Sequence, residues 1–390
     1  MISKNGLDRN SLQAEREPGF AISRRQALLG AAAMLAPLSP SALLAIPAAI
    51  PTTAASGMIR LDSNENPYGP SPKARAAIVA SIPEGCRYAD ADIAPLENAL
   101  ARQDHLDPTH VVLGSGSSEL LHMAALLAAE GGAGGELIAA DPTFEDIEEF
   151  AAKFGVQTRL VPVNKAHQHD LPAMGRLINA QTRLIYVCNP NNPTATVVSR
   201  SALEAFIKTV PPHILVLVDE AYIDFVTDPA AGSVAELVDT YTNLIVIRTF
   251  SKLHGLAGLR IGYGFATPTL AARLRAKQLA FPNIAVLRAA LASLGDDAFL
   301  KATRQSILTD RSRVEALIDA RGLARAPSQG NFVFFEVRQP ITAFRKTMLE
   351  HGIRVGRPFN GYDHWCRLTV GTTAEMDRTI AVLADVLPKT

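Results

Sequence analysis

Cysteine is scarce in this chain: three in 390 residues, Cys86, Cys188 and Cys366, far apart and with no Cys-x-x-Cys spacing. That argues against a disulfide framework, a zinc ribbon and a redox pair, and each cysteine reads as a small buried apolar residue. An excess of one charge is missing too. The 38 basic and 38 acidic residues balance to zero, so there is no basic footprint for a nucleic-acid partner. Long apolar runs are also lacking. The uninterrupted stretch Ala27–Ala36 is too short to span a bilayer as a helix, and Pro37, Pro40, Pro47 and Pro51 interrupt the apolar residues beyond it. There is no internal repeat, and no low-complexity tract beyond this N-terminal region. Apolar material, by contrast, is plentiful. Hydrophobic residues make up 48% and charged residues 19%, enough for a sizeable core in a chain long enough for two domains.

Residues 1–56 read as a leader and linker. Ser23-Arg-Arg-Gln-Ala-Leu-Leu29 resembles a twin-arginine export signal, with Ala27 where a bulkier apolar residue is often seen. Charge lies ahead of the apolar stretch and small residues come after it. The expectation is recognition by the twin-arginine export machinery, cleavage between Ala45 and Ser56, and a periplasmic or otherwise exported protein. The alternative is an amphipathic or disordered extension on a cytoplasmic one.

Residues 57–85 form an arm. Pro67, Gly69, Pro70 and Pro72 give it turn chemistry, and helices are expected at 73–81 and near 95–103. From residue 109 short apolar runs alternate with helical spacing: 111–113, 137–140, 156–162, 184–188, 214–218, 244–247 and 261–266. Continuous apolar strands alternating with helices predict an α/β fold with a mostly parallel sheet covered on both faces. This large domain is expected over 86–283. The pattern changes at Phe281-Pro-Asn283, and 284–390 reads as a smaller α/β domain of long helices and short strands.

The chemistry-bearing residues fall where strands end. Arg248-Thr-Phe-Ser-Lys252 comes directly after the apolar run 244–247, and Arg260 stands eight residues beyond the lysine. Hydroxyls and an arginine can hold a phosphate, and the intervening glycines let backbone approach it. A lysine beside a phosphate suggests a phosphorylated aldehyde bound as a Schiff base, the pyridoxal phosphate arrangement; a surface lysine in a Gly-rich loop is the plainer alternative. Gly114-Ser-Gly-Ser117-Ser118 is an anion site at a helix start or a structural turn. Asn192, between prolines, can donate to a phenolate oxygen, or belongs to an ordinary Asn-Pro turn. Asp219 leaves a fully apolar strand and needs a cationic partner, either a pyridine nitrogen or a structural ion-pair partner. Phe144 can stack on a planar ring or pack in the core. Arg357 and Arg367 can each grip a carboxylate or phosphate. No His/Asp cluster suggests a metal.

Together these residues resemble the fold-type I pyridoxal-phosphate aminotransferases, most closely their histidinol-phosphate aminotransferase branch, over about residues 59–390. Asn64-Glu-Asn-Pro67, Asn191-Asn-Pro-Thr194, Asp219-Glu-Ala-Tyr222, Ser251-Lys252 with Arg260, and Arg367-Leu-Thr-Val-Gly371 carry the resemblance. It implies that Lys252 is the Schiff-base lysine and proton carrier, and that Asp219 holds the ring nitrogen. Asn192 and Tyr222 would bond the phenolic oxygen. Ser117, Ser118, Thr249, Ser251 and Arg260 would cup the phosphate. Phe144 would cover the ring, where the branch usually has tyrosine. Arg367 would clamp the substrate carboxylate, Arg357 the substrate phosphate, and Asn66 would touch substrate. Tyr88 would reach the partner subunit's cofactor phosphate, implying a homodimer with shared sites. Ala195 replaces the glycine that usually comes after Asn-Pro-Thr. The implied reaction is ping-pong transamination. Decarboxylation of the threonine-phosphate decarboxylase type is the alternative, and a non-catalytic exported relative is another.

Overall fold

The structure, a computed structural model, describes residues 57–130 and 134–389. The twin-arginine pattern and the expected cleavage window lie outside the described residues. The strands are β1 (Ile59–Leu61), β2 (Val111–Gly114), β3 (Glu136–Asp141), β4 (Gln157–Pro162), β5 (Thr182–Cys188), β6 (Leu215–Asp219), β7 (Leu244–Thr249), β8 (Gly262–Phe265), β9 (Phe332–Glu336), β10 (Ile353–Val355) and β11 (Trp365–Thr369). The α-helices are α1 (Pro72–Ser81), α2 (Asp90–Gln103), α3 (Ser117–Ala129), α4 (Asp146–Ala152), α5 (Leu171–Arg176), α6 (Arg200–Thr209), α7 (Pro268–Arg275), α8 (Ile284–Leu294), α9 (Asp297–Ala320), α10 (Ile341–Glu350) and α11 (Thr373–Val386). Local capping sets several of the starts. Ser71, Ser199 and Asn283 accept backbone N–H groups at the heads of α1, α6 and α8, and Thr372 with Glu375 makes a capping box for α11.

Seven strands form one sheet in the order β2-β8-β7-β6-β5-β3-β4. Strands β3 to β7 pair in parallel, and β8 runs antiparallel to both β2 and β7. The apolar runs are continuous because both faces are buried. On one face Ile185, Val187, Val216, Val218, Leu244 and Val246 pack against α2, α6 and α8. On the other Leu184, Tyr186, Leu215, Leu217, Ile245 and Ile247 pack against α3, α4 and α7. Each such side chain contributes about 1.5–3 kcal/mol when fully buried, so the sheet is a rigid platform for whatever its strand ends carry.

A second core gathers β1, β9, β10 and β11 with α9, α10 and α11, around Phe332, Phe335, Phe344 and Ile353. Tyr222 and Leu253, from the loops after β6 and β7, pack into this same core. The strand ends of the large sheet are thereby tied to the smaller sheets.

Three details differ from the sequence reading. The arm is partly strand: β1 pairs in parallel with β10, burying Ile59 and Leu61 and exposing Arg60. Helix α2 starts at Asp90 rather than Pro95, because Asp90 and Asp92 favour a first turn and the proline is accommodated within the helix. Cys188 and Cys366 are buried as expected, but Cys86 is exposed, since it lies just past a surface 3-10 turn at Ile82–Glu84.

Candidate active site

A cavity of about 520 Å³ opens at the carboxyl ends of the parallel strands. The topology explains what lines it. After β2 come Ser117 and Ser118, after β3 Phe144, after β5 Asn192, at the end of β6 Asp219, and at and after β7 Thr249, Ser251 and Lys252. Because β8 runs antiparallel, Arg260 enters from the same edge. Arg357 and Arg367 close the cavity from the smaller sheets, and the arm adds Asp62, Ser63, Asn64 and Glu65.

Lys252 lies among these groups with Nζ 3.4 Å from the Ser63 carbonyl and 5.3 Å from the centre of the Tyr222 ring. Removal from bulk water pushes its pKa down to about 8; Arg367 and Arg260 push the same way, while Glu65 and Asp219 oppose them. Asp219 is 3% exposed. Its Oδ1 accepts from the Ala221 N–H at 3.0 Å and its Oδ2 from the Tyr186 hydroxyl at 3.1 Å. Burial pushes its pKa up to about 6, and those two hydrogen bonds together with Lys252 restrain the rise. At neutral pH it is therefore a buried anion with donors and no ion pair of its own, as a group awaiting a cation should be.

A second group of cavity residues can hold an anion. Gly116 caps α3 with φ 86° and no side-chain cap, which leaves the N–H groups of Ser117 and Ser118 open, while the Glu119 N–H bonds the Gly116 carbonyl. A Cβ on Gly116 would lie 2.2 Å from Arg260 Nη2, so only glycine lets that guanidinium lie against the backbone. A Cβ on Gly262 would meet the Ser117 nitrogen at 2.4 Å, so β8 and the α3 start touch only because that residue too is glycine. The Thr249 hydroxyl donates to Ser251 Oγ at 2.9 Å, which leaves the Ser251 proton free to point elsewhere.

Two further donors are held ready. Tyr222 accepts a hydrogen bond from Asn64 Nδ2 at 3.0 Å, which frees its own proton for the cavity. Asn192 Oδ1 accepts from Arg367 Nη1 at 2.7 Å, so its Nδ2 is left to donate. Arg367 is buried, also donates to the Asp62 carbonyl, and has an Nε without a partner. Burial lowers its pKa. Arg357 is half-exposed, paired with Glu145, with its guanidinium 4.5 Å from the Phe359 ring centre. Ala195 has φ 58°, a left-handed conformation that suits the glycine it replaces.

Two of the expected residues lie elsewhere. Asn66 does not line the cavity; its amide donates to the Leu253 carbonyl, beside Lys252. It therefore steadies the lysine loop. Tyr88 is 95% exposed and away from the cavity of its own chain. Sequence reasoning had no role for Tyr186, Asp62 or Arg345. Tyr186 is legible in hindsight: it and Asp219 both share the alternation that faces α3. Arg345 carries no motif at all.

The residues present fit a phosphorylated aromatic aldehyde. One cavity holds an anion cradle, a buried carboxylate, an amine of lowered pKa and two side chains with donors to spare.

Sequence comparison agrees with this geometry. Residues 56–383 match the family of class I and II aminotransferases. Among similar proteins are the histidinol-phosphate aminotransferase of Moorella thermoacetica, 37% identical over 85% of this chain and 86% of its own, and histidinol-phosphate aminotransferase 1 of Nitrosococcus oceani, 39% identical over 85% and 89%. Among solved structures, the histidinol-phosphate aminotransferase of Sinorhizobium meliloti in complex with pyridoxal-5'-phosphate superposes with a TM-score of 0.77, at 29% identity over 84% of this chain and 90% of that one.

Proposed function

The chain belongs to the class I and II aminotransferase family, and from that premise we propose that it transfers an amino group between an amine of the histidinol-phosphate type and a keto acid, with pyridoxal phosphate anchored on Lys252. The observation that supports this reading is that Lys252, the buried Asp219 carboxylate, Ser117, Ser118, Ser251 and Arg260 line one cavity. When bound, the cofactor supplies an electron sink for the charge left as a Cα proton departs.

The remaining work falls to side chains. The lowered pKa favours the uncharged amine that Nζ needs to take a proton from the substrate Cα and return it on the other side of the reaction. With the cofactor bound, Asp219 would keep the ring nitrogen protonated, and Asn192 Nδ2 and the Tyr222 hydroxyl would donate to the phenolic oxygen. Arg367, whose Nη atoms hold Asn192 and the Asp62 carbonyl, would meet the substrate carboxylate or the equivalent end of an amino alcohol, and Arg357 would meet the substrate phosphate. Phe144 covers the ring without supplying a hydroxyl. The test is a panel of amino donors and keto acids given to the purified enzyme, with keto product and carbon dioxide both measured. Transfer from histidinol phosphate to a keto acid is expected; carbon dioxide release without transfer would overturn the reading.

A homodimer with shared sites belongs to the same proposal. Tyr88 is free to reach a second copy, and the exposed side chains of Ile82, Leu279 and Phe281 would be covered by it. A monomer at micromolar concentration by sedimentation would contradict this. Export is supported by the Arg24-Arg25 pair in its apolar context. Fractionation that finds the wild-type and the Arg24→Lys, Arg25→Lys proteins in the same compartment would contradict it.

A further inference from the structure

One cation in the cavity has no role in the chemistry of cofactor or substrate described so far. Lys252, Arg260, Arg345, Arg357 and Arg367 line it, against the carboxylates of Asp62, Glu65 and Asp219. Four of the five cations have a polar partner. Lys252 has the Ser63 carbonyl, Arg260 the Ala257 carbonyl, Arg357 the Glu145 carboxylate, and Arg367 both Asn192 and the Asp62 carbonyl. Arg345 makes no hydrogen bond or ion pair among the described residues, and its Nε is buried without an acceptor. Folded proteins rarely keep a buried donor unpaired unless an acceptor arrives from elsewhere.

The fold holds Arg345 in place. It is next to Phe344, a fully buried residue of α10, and α10 packs on β10. Val355 of β10 lines the cavity as well, and Arg357 lies two residues beyond that strand. Arg345 and Arg357 thus approach from neighbouring elements. The charge of Arg357 is already partly balanced by Glu145, so alone it would leave a dianion undercompensated. The fork of Arg345, with Nε and Nη free, suits such a group.

We propose that Arg345 is a specificity-determining residue that receives the anionic group at the end of the substrate remote from its reacting carbon, favouring a phosphate monoester over uncharged analogues. This rests on the aminotransferase reading. A distal carboxylate shares the same chemistry, so the test separates the two.

Holoenzymes of wild type, Arg345→Gln and Arg345→Lys are given histidinol phosphate, histidinol, L-glutamate and L-alanine. Single turnovers are monitored by the cofactor's absorbance, and binding of the first two by calorimetry. In Arg345→Gln, kcat/KM for histidinol phosphate is expected to fall about 30- to 100-fold, mostly through KM, with histidinol within about twofold of wild type. Arg345→Lys should recover part of the loss. A parallel loss with L-glutamate but not L-alanine supports a general distal-anion site, and loss confined to histidinol phosphate supports a phosphate site. If Arg345→Gln discriminates as wild type does while still transferring amino groups, the Arg345 assignment fails and the aminotransferase reading stands. If no donor reacts with wild type, that reading fails. Calorimetry then decides the assignment: a preference for histidinol phosphate over histidinol that Arg345→Gln loses upholds it, and one that persists unchanged overturns it.

Discussion

Lys252→Ala is expected to lower turnover by about 10⁴-fold or more, since in the proposed mechanism one side chain both anchors the cofactor and moves the proton. No other amine lines the cavity among the described residues, so nothing nearby can substitute. Borohydride should fix the cofactor to the wild-type protein and fail to fix it to the variant. A small primary amine added to the buffer should restore part of the proton transfer. Wild-type turnover by Lys252→Ala would sink the mechanism.

The same substitution should stabilise the cofactor-free protein. The folded-state pKa of Lys252, about 8, lies below its ordinary value of 10.5. Below pH 8 both folded and unfolded states hold the proton, and folding must bury the charge. Between about 8 and 10.5 the folded protein has lost the proton that the unfolded chain still carries, so stability rises with pH across that window. Lys252→Ala removes the penalty. At pH 7 the gain should be on the order of 1–3 kcal/mol, allowing for water in the open cavity, and it should shrink steadily toward pH 10.5. Denaturant midpoints of both proteins across that range provide the measurement. An inactive variant that gains stability is the pattern of a site strained for function.

Most of this site was legible in the sequence because its residues sit at strand ends, and the strands announce themselves. The runs 184–188, 214–218 and 244–247 are apolar at every position, which happens only when a sheet is covered on both faces. Asn192, Asp219 and Lys252 come soon after those runs. Strand direction was not legible: nothing in Gly262–Phe265 separates antiparallel from parallel. Nor was the pairing of Ile59–Leu61 with Ile353–Val355, since two three-residue strands nearly three hundred positions apart leave no local periodicity. That pairing brings Asp62 to Glu65 into the cavity, so their place in its lining was not legible, although Asn64 and Glu65 belong to a motif that the sequence does show. Asn66 lies outside the cavity lining for a related reason: a motif shows that a residue is near the site, but not whether its amide faces the substrate or the loop behind it. Arg345 was invisible because its meaning lies in having no partner, which only three dimensions reveal.

Asp219→Asn should likewise separate activity from stability. The amide is isosteric with the carboxylate. Its oxygen can accept from the Ala221 N–H, and its nitrogen can donate to the Tyr186 hydroxyl, which rotates to accept. Local geometry therefore survives while the anion is lost, and with it, on the proposed mechanism, the means of keeping the ring nitrogen cationic. Turnover should fall at least ~10²- to 10³-fold. The folded-state pKa of about 6 lies above the ordinary 3.8. Between those values the folded protein holds a proton that the unfolded chain has released, so stability falls as pH rises, and the penalty is complete above about pH 6. The cofactor-free variant should then be more stable than wild type by about 1–3 kcal/mol at pH 7 and match it near pH 4. Cofactor binding should reverse the order: a ring cation beside Asp219 relieves the buried charge only in wild type, so pyridoxal phosphate should raise the melting temperature more in wild type than in Asp219→Asn. Equal thermal shifts in the two proteins would mean that Asp219 does not meet the ring nitrogen.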